Sequence, residues 1–117
     1  MKNKSFHHRL GFALAGIVHA IRTENSFRFQ IVAACAVLAG MVYLRPAALW
    51  WAIMAVTVML VLAAELFNTA LEILVDHLHP DQHPRIKLVK DCAAGAVLVI
   101  SIAAVGVAVA LLCDSLR

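Results

Sequence analysis

Three stretches of this chain carry no Asp, Glu, Lys or Arg: those between Arg28 and Arg45, between Arg45 and Glu65, and between Asp91 and Asp114. A helix needs about 20 apolar residues to cross a hydrocarbon core. The third stretch meets that length, the second nearly does, and the first reaches it by borrowing a turn from its flanks. Of 117 residues, 63% are hydrophobic and 15% charged, whereas soluble domains run at about 45–50% and about 25%. A soluble domain this small has no interior large enough to hide the surplus, and disorder needs the opposite composition. The implied solvent is a bilayer.

The expected organisation is one all-α integral membrane domain over 1–117. It comprises an amphipathic surface helix at about 5–23, spans at 28–45, 46–77 and 91–114, and a cytoplasmic loop at 78–90. The second span continues past Glu65, because Leu66, Phe67, Ala70, Leu71, Ile73, Leu74 and Val75 extend the apolar pattern to Asp76. Ahead of the first span, Phe6, Leu10, Leu14, Ile17, Val18 and Ile21 recur on one helix face. Such a face suits either the membrane interface or packing against the other helices.

Lys2, Lys4, Arg9, Arg22 and Arg28 precede the first span, and Arg85, Lys87 and Lys90 follow the second. By the positive-inside rule both regions are expected in the cytoplasm, with the N-terminus inside and the protein multi-pass. Residues 1–21 lack a continuous apolar core, so no cleavable signal is expected and the chain as written is read as mature. The formal net charge of +3 gathers at the ends of apolar runs, which argues against a nucleic-acid partner. Cys35, Cys92 and Cys113 have no CxxC spacing and are read as small hydrophobes. Trp50 and Trp51 fall where an aromatic belt is expected.

The informative residues are Glu65, Asn68, Glu72 and Asp76. At 3.6 residues per turn they lie within about 80° of one another, so three carboxylates and an amide share one stripe. A charged side chain at the bilayer centre costs roughly 2.5–3.5 kcal/mol even on a lenient scale. A helix end reaching into headgroups explains Asp76, but Glu65 lies about 16 Å deeper by the helical rise. Such a stripe can relay protons, coordinate a cation, or supply base and metal ligand to an enzyme. The loop that follows offers His83, Lys87, Lys90 and Asp91 near its mouth, and Glu24 ends the surface helix. Carboxylates together with lysine suit Mg²⁺ and triphosphate chemistry, since Mg²⁺ wants oxygen ligands and phosphates want cations. Neither GxxxxGK[ST] nor GxGxxG is present, which excludes a P-loop or a protein-kinase nucleotide site.

AELFNTALEILVD at 64–76, KDCAAGAV at 90–97 and ENSFR at 24–28 together resemble the signature of the prokaryotic diacylglycerol kinase family, which includes the undecaprenol kinases. The resemblance runs from about Ser5 to the last helix. It implies a homotrimeric bundle in the bacterial cytoplasmic (inner) membrane, with active sites shared between subunits. It further implies transfer of phosphate from ATP to a membrane lipid alcohol, diacylglycerol giving phosphatidic acid or, alternatively, undecaprenol giving undecaprenyl phosphate. By the same resemblance Glu65 is the general base, and Glu24 and Glu72 hold Mg²⁺ and face the nucleotide. Asp81, His83, Lys90 and Asp91 are nucleotide residues, Asn68 and Asp76 support the site, and Arg28 and Ala94 lie with Glu65 on the lipid side. Two positions depart from the family pattern: Ser5 stands where a basic residue is usual, and Phe12 where a tyrosine is. A small proton or cation carrier is the remoter reading, and it would have no use for Glu24, Lys90 or Asp91.

Overall fold

The computed structural model describes residues 3–117 and contains four helices: α1 (Phe6–Thr23), α2 (Asn25–Leu44), α3 (Ala48–Leu78) and α4 (Pro84–Ser115). Lys2, counted among the N-terminal basic residues, lies outside the described residues. The chain is an all-α membrane protein: α2, α3 and α4 are each long and apolar enough to cross a bilayer. At 1.5 Å per residue, the 31-residue α3 and the 32-residue α4 exceed an approximately 30 Å hydrocarbon core by about half its thickness.

Each break has a local cause. Between α1 and α2 only Glu24 leaves the helical region (φ −109, ψ 110). The turn is held by Arg28, which donates to the carbonyls of Ile21 and Arg22 at 2.9 Å each and to the Asn25 side chain. A guanidinium at the last carbonyls of α1 satisfies acceptors that the helix cannot. Arg45 ends α2 in the left-handed region (φ 52), where a non-glycine residue costs roughly 1–2 kcal/mol, and Pro46 prevents the helix from resuming. His79 ends α3 just before Pro80.

The expected loop at 78–90 is shorter than the sequence reading had it, because α4 already begins at Pro84. Pro84 occupies the first turn, where a missing N–H removes nothing, and His83 caps the helix by accepting from the Arg85 N–H at 3.1 Å. The polar stretch 84–90 is therefore helical, and α4 extends beyond its apolar run towards the loop.

α3 packs antiparallel against both α2 and α4, while α1 lies against α2 and α3. Met41, Met54 and Leu111 form the buried centre, flanked by Val37, Trp50, Trp51, Val58 and Val107. This core sits towards the α2–α3 turn, leaving the loop end of α3 to polar groups. Phe6, Leu10, Leu14, Ile17, Val18 and Ile21 are all exposed, and Ala20 is the one buried residue of α1. Of the two readings of α1, packing against the chain's own helices therefore does not cover its apolar face.

The α3–α4 register is pinned at both ends, by Trp50 Nε1–H donating to Asp114 Oδ2 at 2.9 Å and by Lys90 meeting Asp76 at 2.5 Å. Trp50→Phe keeps an aromatic ring at the edge of the core, removes the donor and trims some packing, which a double-mutant cycle with Asp114→Ala separates from the bond. Its thermal midpoint in detergent is expected to fall by a few degrees, since a charge-assisted bond at a part-exposed site contributes about 1 kcal/mol. The loss should not add to that of Asp114→Ala; additive losses in the double-mutant cycle contradict a direct Trp50–Asp114 bond.

Candidate functional site

The α2–α3 register that packs Met41 with Met54 also brings Gln30 beside Glu65, near the loop end. Gln30 Nε2–H donates to Glu65 Oε2 at 3.4 Å. Glu65 is 4% exposed and Thr69, one turn on, 5%; they are the buried polar side chains of the described chain. On the same stripe, half-buried Asn68 donates from Nδ2 to Glu72 Oε1 at 3.5 Å. The antiparallel register that sets Gln30 beside Glu65 also carries Glu24, six residues before Gln30, to about the level of Glu72.

The seam is incomplete. Gln30 Oε1, Asn68 Oδ1 and Thr69 Oγ1 are buried without partners, and the one hydrogen bond to Glu65 is long. Carboxylates and amide oxygens are acceptors, so the cluster offers many acceptors and few donors. A hydroxyl donor or a hard cation would complete it. Among the described residues no three His, Cys, Asp or Glu side chains stand close enough to form a metal cage. Mg²⁺ does not need one, because it is usually held by one or two carboxylates with water and phosphate oxygens filling its octahedron. Glu24 and Glu72 fit that donor set.

One to two turns further along α3 the stripe opens on a cavity of about 610 Å³ at the α3–α4 loop, lined by Asp76, His79, Asp81, His83, Lys87 and Lys90 among others. Lys90 Nζ reaches across from α4 to Asp76 Oδ1. His79 and His83 rings meet edge to face at 6.1 Å, and His79 Nδ1 lies 3.0 Å from the Asp81 carbonyl. The cavity lining sets two lysines against Asp76 and Asp81, and each lysine is ion-paired, Lys90 with Asp76 and Lys87 with Asp91, so a phosphate there would have to draw a lysine away from its carboxylate.

Asp76, Asp81, His83 and Lys90 are therefore gathered at one cavity, and Glu65, Asn68 and Glu72 at the seam that leads to it. Asp91 is placed elsewhere: it pairs with Lys87 at 2.6 Å along α4 and does not line the cavity. The Arg28 guanidinium is engaged by α1, as described above, and Ala94 is exposed on α4. Gln30 and Thr69 were not singled out from the sequence. Gln30 carried a signal nonetheless, being the one amide inside the first uncharged run, where polar groups are costly.

Residues 11–112 match the family described as prokaryotic diacylglycerol kinase. Similar proteins include a diacylglycerol kinase of Synechocystis sp., 42% identical over 95 residues, which cover 80% of this chain and 54% of that protein. An undecaprenol kinase of Bacillus subtilis is 39% identical over 99 residues, covering 85% of this chain and 77% of that protein. A diacylglycerol kinase of Pseudomonas aeruginosa is 36% identical over 90 residues, 76% of this chain and 72% of that protein. The matched stretch thus spans about half the length of the Synechocystis relative.

If the loop cavity receives phosphates, Lys90 is the cation nearest the acidic stripe. Lys90→Met is expected to weaken binding of a fluorescent ATP analogue about tenfold, a loss of about 1.4 kcal/mol, read by titration in detergent. Unchanged affinity would place the phosphates elsewhere.

Proposed function

The chain belongs to the prokaryotic diacylglycerol kinase family, and from that premise we propose that it is a lipid kinase transferring the γ-phosphoryl group of ATP to a membrane lipid alcohol. The observation that carries this reading is the continuity of one helix face, from the buried carboxylate of Glu65 to the lysine-bearing cavity at Asp76. A lipid hydroxyl does not leave the bilayer cheaply and a triphosphate does not enter it, so the two must meet at the boundary. A stripe that runs from depth to surface spans it.

In this reading the lipid hydroxyl docks at the acceptor-rich seam. Its oxygen attacks the γ-phosphorus, its proton passes to the Glu65 carboxylate, and the bond from the γ-phosphorus to the bridging oxygen breaks, so that ADP leaves. Lys90 neutralises charge on the phosphates, with Asp81 and His83 beside the nucleotide and Asp91 serving through Lys87, to which it is bonded. Asn68 orients Glu72 through its amide, and Asp76 positions Lys90. Glu24 and Glu72 would hold Mg²⁺, which would neutralise charge developing on the phosphates. Arg28 contributes by fixing the α1–α2 junction that sets Glu24, and Ala94 leaves room for lipid.

The acceptor is proposed to be diacylglycerol, giving phosphatidic acid. Undecaprenol, giving undecaprenyl phosphate, stands beside it, because the Bacillus subtilis undecaprenol kinase aligns over 85% of this chain. We further propose a homotrimer with shared sites in the bacterial cytoplasmic membrane, N-terminus inside. The trimer follows the family resemblance, and the polar atoms that one chain leaves without partners at the seam favour a site completed by a neighbouring copy. The orientation follows the basic residues before the first span and after the second.

Glu65→Gln keeps shape and the ability to accept a hydrogen bond but removes the base. Transfer from ATP to either lipid is expected to fall below a few per cent of wild type, with elution volume and thermal midpoint unchanged. A folded Glu65→Gln protein with near-normal turnover removes Glu65 from the role of base.

A further inference from the structure

The amide of Gln30 has one partner in the described structure, and that partner is Glu65. An ionised carboxylate only accepts hydrogen bonds, so the amide must turn Nε2 towards it. Oε1 then points away, buried and without a partner. Among the described residues Glu65 is therefore the one group that hydrogen-bonds the Gln30 amide. The helices do not need this contact to associate. The α2–α3 seam is otherwise packed by apolar side chains, Met41 and Met54 with Val37 and Val58 against them, at the opposite end.

Glu65 has few other constraints. Its stem carries several rotatable bonds, Thr69 one turn away offers a hydroxyl, and any cation between Glu24 and Glu72 offers a competing attraction. The Gln30 bond engages one carboxylate oxygen, Oε2, and leaves Oε1 without a hydrogen bond among the described residues. We propose that Gln30 is a positioning residue for the reaction, holding the Glu65 carboxylate across the α2–α3 seam in the orientation that receives the lipid hydroxyl's proton. The inference rests on the lipid-kinase reading and adds to it a residue that touches neither substrate.

The test compares wild type, Gln30→Met and Gln30→His as purified proteins, with kcat and both KM values measured for ATP and for diacylglycerol or undecaprenol. Methionine keeps length and volume and has no donor, while histidine restores an N–H at similar reach. Loss of a hydrogen bond to a charged base is expected to lower kcat roughly tenfold to a hundredfold in Gln30→Met, with both KM values within about twofold of wild type. Gln30→His should return kcat to within about threefold of wild type, a recovery that a packing defect would not produce. A folded Gln30→Met protein with normal kcat overturns the proposal. So does a loss carried by the KM for lipid, which would make Gln30 a lipid contact instead. Should the methionine variant not fold, Gln30→His decides alone: a folded histidine protein with kcat as low as Glu65→Gln overturns the proposal, and near-normal turnover supports it. An inactive wild type overturns the kinase reading and this proposal with it, whereas an active wild type with an unaffected Gln30→Met overturns this proposal alone.

Discussion

Glu65 has only 4% of its surface exposed, on a helix where its neighbours in sequence are Ala63, Ala64, Leu66 and Phe67. A charge so placed has to be met by donors, cations or ligand, or the helix would not hold it. The rest of the architecture arranges that meeting. α2 runs antiparallel beside α3 and delivers Gln30 to the carboxylate, and the α1–α2 junction at Glu24 brings a further acid towards the same seam. α4 returns along the other side and delivers Lys90 to the far end of the stripe.

Such placement depends on register, because sliding either neighbour by one turn would move its polar group about 5 Å away from its partner. Packing at the turn end and polar contacts at the loop end therefore support one another. Met41, Met54 and Leu111 fix how far each helix is inserted, and the Trp50–Asp114 and Lys90–Asp76 pairs hold α4 at both extremities. The seam near Glu65 keeps buried polar atoms without partners, Gln30 Oε1, Asn68 Oδ1 and Thr69 Oγ1.

Much of this was legible in the sequence because the bilayer forces strong patterns. Uncharged runs located the three long helices, and the recurrence of Glu65, Asn68, Glu72 and Asp76 along one face marked the candidate site. Other features were not local enough to read. The helical start at Pro84 depends on the cap from His83 rather than on apolar periodicity, so the polar stretch 84–90 looked like loop. The pairing of Asp91 with Lys87 and the commitment of Arg28 to α1 are choices among several available partners, which only the folded geometry makes. Gln30 was passed over because one amide in an apolar run has no periodic companion. Its meaning came from the helix opposite.

The central claim is that one helix face carries chemistry across the membrane boundary, and the most direct measurement follows the γ-phosphate. Purified protein in vesicles containing diacylglycerol or undecaprenol would be given γ-labelled ATP and Mg²⁺, with proton and cation flux recorded in the same vesicles. The account predicts label in extractable lipid phosphate from at least one of the two alcohols, and no flux attributable to the protein. A folded protein that labels neither lipid, yet conducts protons or cations, would contradict it and assign the acidic stripe to conduction.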